Sequence, residues 1–144
     1  MKRIRYISSF AKPMTQADIQ NIAEQAQQYN KEHGITGMLV ASGTLFFQII
    51  EGPEGTIDSL YSNIERDPRH TNVLLLSSES GDIDRICPDW SMHKIDLSLM
   101  EQEKVAPIKV LLQMVFTQSQ LVENAINALE RYAWGEFISI DATE

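Results

Sequence analysis

Three polar side chains stand among apolar neighbours at spacings that put them on structural faces. Gln48 lies between Phe46 and Ile50 at strand periodicity, and a carboxamide on such a face must find hydrogen-bond partners or cost about 1 to 3 kcal/mol. Tyr6 shares the alternation of Ile4 and Ser8 in another extended segment, and its phenol can both donate and accept. Asn30 falls near the end of a helical stretch, where asparagine competes with the backbone and is not favoured without a reason. A phenol and two carboxamides amid aliphatic residues suit a planar polar heterocycle, whose edge wants donors and acceptors while its faces want Ile and Leu. The same spacing also fits a core tyrosine bonded to a satisfied glutamine, with Asn30 at a fraying helix end. No charged catalytic group belongs to the set.

Other chemistries find less support. Trp90 and Met92 alternate on one face of the last extended run, where an indole donor and an adaptable thioether also serve as ordinary core. Arg69 and His70 follow Pro68 and could meet an anionic group or simply be solvated. His33, His70 and His93 are too dispersed for a recognised zinc spacing, and no Gly-rich phosphate loop or nucleophile elbow occurs. Cys87 is the only cysteine, so no intrachain disulfide or thiolate cluster forms, which fits a reducing cytoplasm. With 12 Lys and Arg against 20 Asp and Glu, the net charge of −8 repels phosphate backbones and argues against nucleic acid. The N-terminal residues lack a signal-peptide core, and no apolar run approaches the ~18 residues that span a bilayer.

The 144 residues, 43% hydrophobic and 22% charged, predict one ordinary globular core. Arg3 to Ser8 reads as a strand. Thr15 and Asp18 have capping-box spacing, and Ile19, Ile22, Ala23, Ala26 and Tyr29 recur helically up to Gly34, a natural stop. Thr36 to Ala41 and Leu45 to Glu51, joined by Ser42-Gly43-Thr44, read as a hairpin. After Gly52-Pro53, Ile57, Leu60, Tyr61 and Ile64 mark a second helix ending at Asp67-Pro68. Val73 to Leu76 is continuously apolar, as in a strand covered on both faces, and a loop with Gly81 and Pro88 leads to a last strand around Trp90 to Leu97. Beyond Pro107, two helical stripes, Ile108 to Phe116 and Leu121 to Leu129, are separated by a capping-box spacing at Thr117 and Gln120. The order predicts an α+β, ferredoxin-like sandwich: a five-stranded mixed sheet with two helices on one face and a C-terminal helix pair covering the other.

Tyr6, Asn30, Gly34-Ile35-Thr36-Gly37, Phe47-Gln48, Glu51-Gly52, Asp67-Pro68-Arg69-His70 and Trp90-Ser91-Met92 occur in order. This ordered set closely resembles the BLUF family, blue-light sensors using FAD, over roughly residues 2 to 97. The resemblance implies that FAD lies between the two helices, with its ring flanked by Ile22 and Ile64 and its pyrimidine edge bonded by Asn30. Gln48 would bridge the flavin to the Tyr6 hydroxyl, with Arg69 and His70 near the flavin edge or side chain. It further implies electron transfer from Tyr6 to the excited flavin, rearrangement of Gln48, a red-shifted state, and transmission through Trp90 and Met92. Ala26 departs from a serine found in several relatives, which bears on the lifetime of that state. The stretch Pro107 to Gln113 looks like the helix that follows the sensor in photoactivated adenylyl cyclases.

The expectation is a photosensory domain over residues 1–98 and a helical extension over 99–144 packing on the sheet. It would be a cytoplasmic photoreceptor without enzymatic turnover or metal, passing its signal to an unidentified protein partner or through a homo-oligomer. The competing expectation is an acylphosphatase-like enzyme on the same fold, which needs an anion cradle and an amide beside an arginine.

Overall fold

The computed structural model describes residues 1–89, 91–97 and 102–143, with side chains outside 102–105 and 133–143. The chain runs β1 (Lys2–Phe10), α1 (Gln16–His33), β2 (Thr36–Ser42), β3 (Leu45–Gly52), α2 (Glu54–Arg66), β4 (His70–Ser80), β5 (His93–Asp96) and α3 (Gln102–Thr143). The strands form one mixed sheet ordered β4-β1-β3-β2-β5. All neighbours are antiparallel except β2 and β5, which run parallel. This is the predicted ferredoxin-like arrangement with a fifth strand added at one edge.

Local signals set the helix ends. At the start of α1 the Thr15 side chain accepts from the Asp18 N–H while Asp18 accepts from the Thr15 N–H, so two orphan donors are satisfied. At its end Gly34 takes a left-handed φ of 68°, a conformation nearly free of penalty only without a Cβ. The next glycine answers a different need. A Cβ on Gly37 would lie 2.1 Å from the Ile49 carbonyl oxygen, so only glycine lets β2 lie this close to β3.

Strand alternation divides the core into two layers. Ile4, Tyr6, Phe10, Leu39, Phe46 and Ile50 face α1 and α2, where Ile19 and Ile57 close over them. On the opposite face, Ile7, Leu45 and Leu74 meet Phe116 of α3, while Leu112 packs against both this cluster and the one around Val40 and Leu97.

Several expectations are corrected. The tail is one helix of 42 residues, not a helix pair. Thr117 accepts from Gln113 Nε2 one turn earlier, and no Gly or Pro interrupts residues 108–132, so the capping-box spacing sits inside an uninterrupted helix. The helix also begins before Pro107 and carries that proline inside it, with loss of one i−4 bond. Nor does the tail cover the whole sheet face: Leu121, Leu129 and Tyr132 remain exposed. The run Val73 to Leu76 is not buried on both sides, because β4 is an edge strand with Leu75 50% exposed. The pairing also slips between Arg5↔Ser77 and Tyr6↔Leu75, a bulge that sets Leu76 out of register. Finally, Met92 lies just before β5 rather than within it.

Phe116→Ala removes the aromatic ring that joins α3 to the sheet and is expected to lower stability by about 3 kcal/mol. Urea unfolding followed by circular dichroism checks this; an unchanged midpoint would show that α3 contributes no binding energy to the sheet.

Candidate functional site

Cross-strand register, not sequence proximity, brings the two main candidates together. Tyr6 on β1 is paired directly with Gln48 on β3, and both point into the layer beneath α1 and α2. The Tyr6 hydroxyl donates to Gln48 Oε1. At its other end the amide is engaged as well, because Gln48 Nε2 contacts the Met92 sulfur at 3.6 Å. The carboxamide, only 8% exposed, is thus held at both ends by buried partners.

Burial acts on the phenol. Desolvation, with the nearby Tyr61 and Asp67 adding to it, pushes the Tyr6 hydroxyl far above its ordinary pKa, so it stays protonated. Tyr61 lies 5.8 Å from it, ring centre to ring centre. Its own phenol is pushed up to about 12 by burial and by Glu65 and Glu123.

Between α1, α2 and the sheet lies a cavity of about 210 Å³ bordered by Tyr6, Gln48 and Asn30, with Ile22 on the α1 side and Ile64 on the α2 side. It continues into an outer groove of about 500 Å³: Phe10, Ile22, Gln25 and Arg69 border both, and Lys12, Pro13 and Met14 line the outer part. Apolar walls with amides at one end suit a flat ring carrying a polar edge.

The remaining predicted residues fall in three groups. Asn30 is buried and donates to the Ser91 carbonyl at 2.6 Å, so it ties α1 to the segment before β5. Arg69 borders both cavities, yet its guanidinium is paired with Asp67 at 2.6 Å. The Asp67 carboxyl is correspondingly held below its ordinary range, chiefly by that hydrogen bond. His70 borders the inner cavity, lies against Phe10 with ring centres 4.6 Å apart and planes tilted by 41°, and has a buried Nδ1 without a partner among the described residues. Burial lowers its pKa, with Asp67 opposing and Arg69 assisting. Trp90 lies outside the described residues.

Sequence reasoning passed over Gln27, which donates to the Met92 carbonyl at 2.9 Å. Its position three residues before Asn30 puts both amides on one helical face, and that spacing was the available signal. Tyr61 was read only as helix packing. Among the described residues, no group of three His, Cys, Asp or Glu is placed to hold a metal, and no helix is long and apolar enough to cross a membrane.

A family model described as BLUF, sensors of blue-light using FAD, matches residues 1–93. The chain belongs to the BLUF family. Among BLUF relatives, photoactivated adenylate cyclase subunit beta of Euglena gracilis is 40% identical over 70 residues, which is 49% of this chain and 8% of the relative. The blue light- and temperature-regulated antirepressor BluF of Escherichia coli (strain K12) is 34% identical over 87 residues, 60% of this chain and 21% of the relative. The chain therefore spans a small part of these relatives' lengths. A bacterial light-regulated adenylyl cyclase superposes with a TM-score of 0.76 at 38% identity, over 87% of this chain and 36% of the cyclase. The BLUF protein BlrB in its dark state superposes at 0.66 with 34% identity, over 78% and 82% of the two chains. BLUF domains bind flavin, with FAD as the family's stated cofactor, and are sensors rather than enzymes themselves. The site of this BLUF domain fits that group, since its largely apolar lining, the carboxamides of Asn30 and Gln48 at its border and the His70 nitrogen without a partner among the described residues suit a ring with a polar edge.

Burial holds the His70 pKa below the ordinary 6.5 in the folded protein. The unfolded chain then takes up a proton on this residue as pH falls through about 6.5 while the folded chain does not, so stability is lost on acidification. His70→Gln is expected to flatten the decline in melting temperature between about pH 7 and pH 5; an identical decline in both proteins would show that the His70 pKa is the same in the folded and unfolded chain.

Proposed function

We propose that this BLUF protein is a blue-light photoreceptor that holds FAD between α1 and α2 and signals by rearranging the Tyr6–Gln48–Met92 network. The observation that carries the reading is the doubly engaged Gln48 amide, with the Tyr6 hydroxyl on one end and the Met92 sulfur on the other. Ile22 and Ile64 would sandwich the ring, Asn30 would bond its pyrimidine edge, and Arg69 and His70 would border its rim. When bound, the flavin supplies blue-light absorption and, once excited, an acceptor for one electron.

Tyr6 would supply that electron. Its buried phenol cannot ionise beforehand, so on losing an electron it releases its proton along the hydrogen bond to Gln48 rather than to water. Return of electron and proton restores Tyr6, while Gln48 remains rotated or tautomerised. The rearranged amide would turn a different group toward the cavity, where bound flavin would report it as a red-shifted spectrum, and would no longer present the same group to Met92. A bistable contact of this kind becomes a signal because the neighbouring segment packs differently in its two states. Trp90 would share this transmission with Met92.

Residues 1–98 would form the photosensory domain and 99–144 its helical extension, in a cytoplasmic protein. The extension offers an output surface. Ile108, Leu111, Val115, Val122, Leu129 and Tyr132 recur at seven-residue spacing along α3 and are exposed, as a helix of a second copy would require. The signal passes through this homo-oligomer to a downstream protein. The acylphosphatase-like alternative loses its arginine, since Arg69 is already paired with Asp67.

The absorption spectrum of the purified protein with FAD, recorded in darkness, after blue light and during recovery, is expected to show a reversible red shift. Absence of flavin from well-folded protein would overturn the reading. Tyr6→Phe should keep FAD but lose the normal red-shifted state, and Gln48→Leu, of similar volume without the amide, should do the same; a wild-type photocycle in either removes that residue from the mechanism. Leu129→Glu is expected to reduce the mass measured by light scattering from that of an oligomer to that of one chain, and an unchanged mass would place the interface elsewhere.

A further inference from the structure

Glu51 belongs to a sequence motif that the light reaction leaves unused. It stands three residues after Gln48 on β3, hence on the opposite face of the sheet, and its side chain is fully buried. One carboxylate oxygen accepts from Arg3 Nε and the Ile86 N–H, both at 3.0 Å. The other accepts from the Cys87 N–H at 2.5 Å and the Thr36 hydroxyl at 3.5 Å. Arg3 also donates to the Asp84 carbonyl. From the outer side Arg85 donates to Thr36 Oγ1 at 2.7 Å, to the Glu51 carbonyl at 3.1 Å and to the Gly34 carbonyl at 2.8 Å.

Residues 84–87 are therefore bound to β1, β2 and β3 through one carboxylate and two guanidinium groups. The same segment is held at its other end by α1, where Asn30 and Gln27 donate to the carbonyls of Ser91 and Met92. Met92, five residues beyond the ties at 84–87 and itself bonded to α1, reaches the Gln48 amide with its methyl group near Gly37. A buried charge is costly unless fully partnered, and its attested use is to hold one arrangement against others.

We propose that Glu51 is a positioning residue for the light switch: by pinning residues 84–87 to the strand that carries Gln48, it sets where Met92 meets the Gln48 amide and so how long the rearranged state lasts. The inference rests on the photoreceptor reading for its effect on lifetime, but not for its effect on Met92.

The test compares the full chain with Glu51→Gln and Arg85→Gln by two measurements. One is the dark-state NMR spectrum of the protein labelled with ¹³C at the methionine methyl groups; the other is the rate of dark recovery after blue light. In both variants flavin content and the size of the red shift should hold, the Met92 methyl signal should move while those of Met14 and Met38 stay, and recovery should change about tenfold, equivalent to ~1.4 kcal/mol. A merely structural tie would lower the unfolding midpoint and leave the Met92 signal and the recovery rate as in the wild type; that result overturns the proposal. If Glu51→Gln fails to fold, Arg85→Gln decides, since its guanidinium acts on the same segment from the outside. If the wild type shows no red shift while the Met92 signal still moves in the variants, the photoreceptor reading fails and the positioning role stands.

Discussion

A carboxamide enclosed in an apolar layer has to be satisfied at both ends by the protein or its ligand, and the organisation of this molecule follows from that demand at Gln48. Tyr6 meets the oxygen and Met92 meets the nitrogen. Each partner is weakly committed, because a phenol can reverse its role as donor or acceptor and a thioether is a soft acceptor. The proposed switch draws on that weak commitment, since it needs a second arrangement of the amide.

The surroundings supply rigidity where the amide supplies choice. Tyr6 and Gln48 are opposite one another on the central pair of strands, the best-supported part of the sheet. Met92 instead lies on a segment outside the regular strands, secured through hydrogen bonds from α1 and through Glu51. The contrast is one of setting: Tyr6 meets Gln48 from within the regular sheet, Met92 from a segment outside it. Burial keeps the Tyr6 phenol protonated, with its hydrogen directed along the bond to Gln48.

α3 behaves unlike the rest of the molecule. Leu112 and Phe116 anchor it to the sheet face opposite the cavity, whereas Leu121, Val122, Ile126, Leu129 and Tyr132 lie in the open. An amphipathic helix held at one end and apolar along its free length is suited to a like helix from another chain. Its anchor lies on the same sheet face as Glu51, so changes in the segment tied to Glu51 arise beside the layer on which α3 rests.

Much of this was legible in the residues alone. The capping box at Thr15 and Asp18, the stop at Gly34 and the end of α2 before Pro68 are local signals, decided within a few residues of themselves, and strand alternation was enough to place Tyr6 and Gln48 on faces. The ordered motifs pointed to the family. What the residues did not disclose depends on distant partners: the bond between Tyr6 and Gln48 requires the β1–β3 register, the exposed β4 edge requires the strand order, and the full partnering of Glu51 requires β1, β2 and the 84–87 segment to converge. The one local signal that misled, the spacing at Thr117 and Gln120, did so for the same reason, because a cap forms only where the chain leaves the helix and nothing in α3 makes it leave. Sequence by itself determined which side chains had to be satisfied; only the tertiary structure decided by what, since hydrogen bonds across a sheet join residues about 40 positions apart that no local pattern relates.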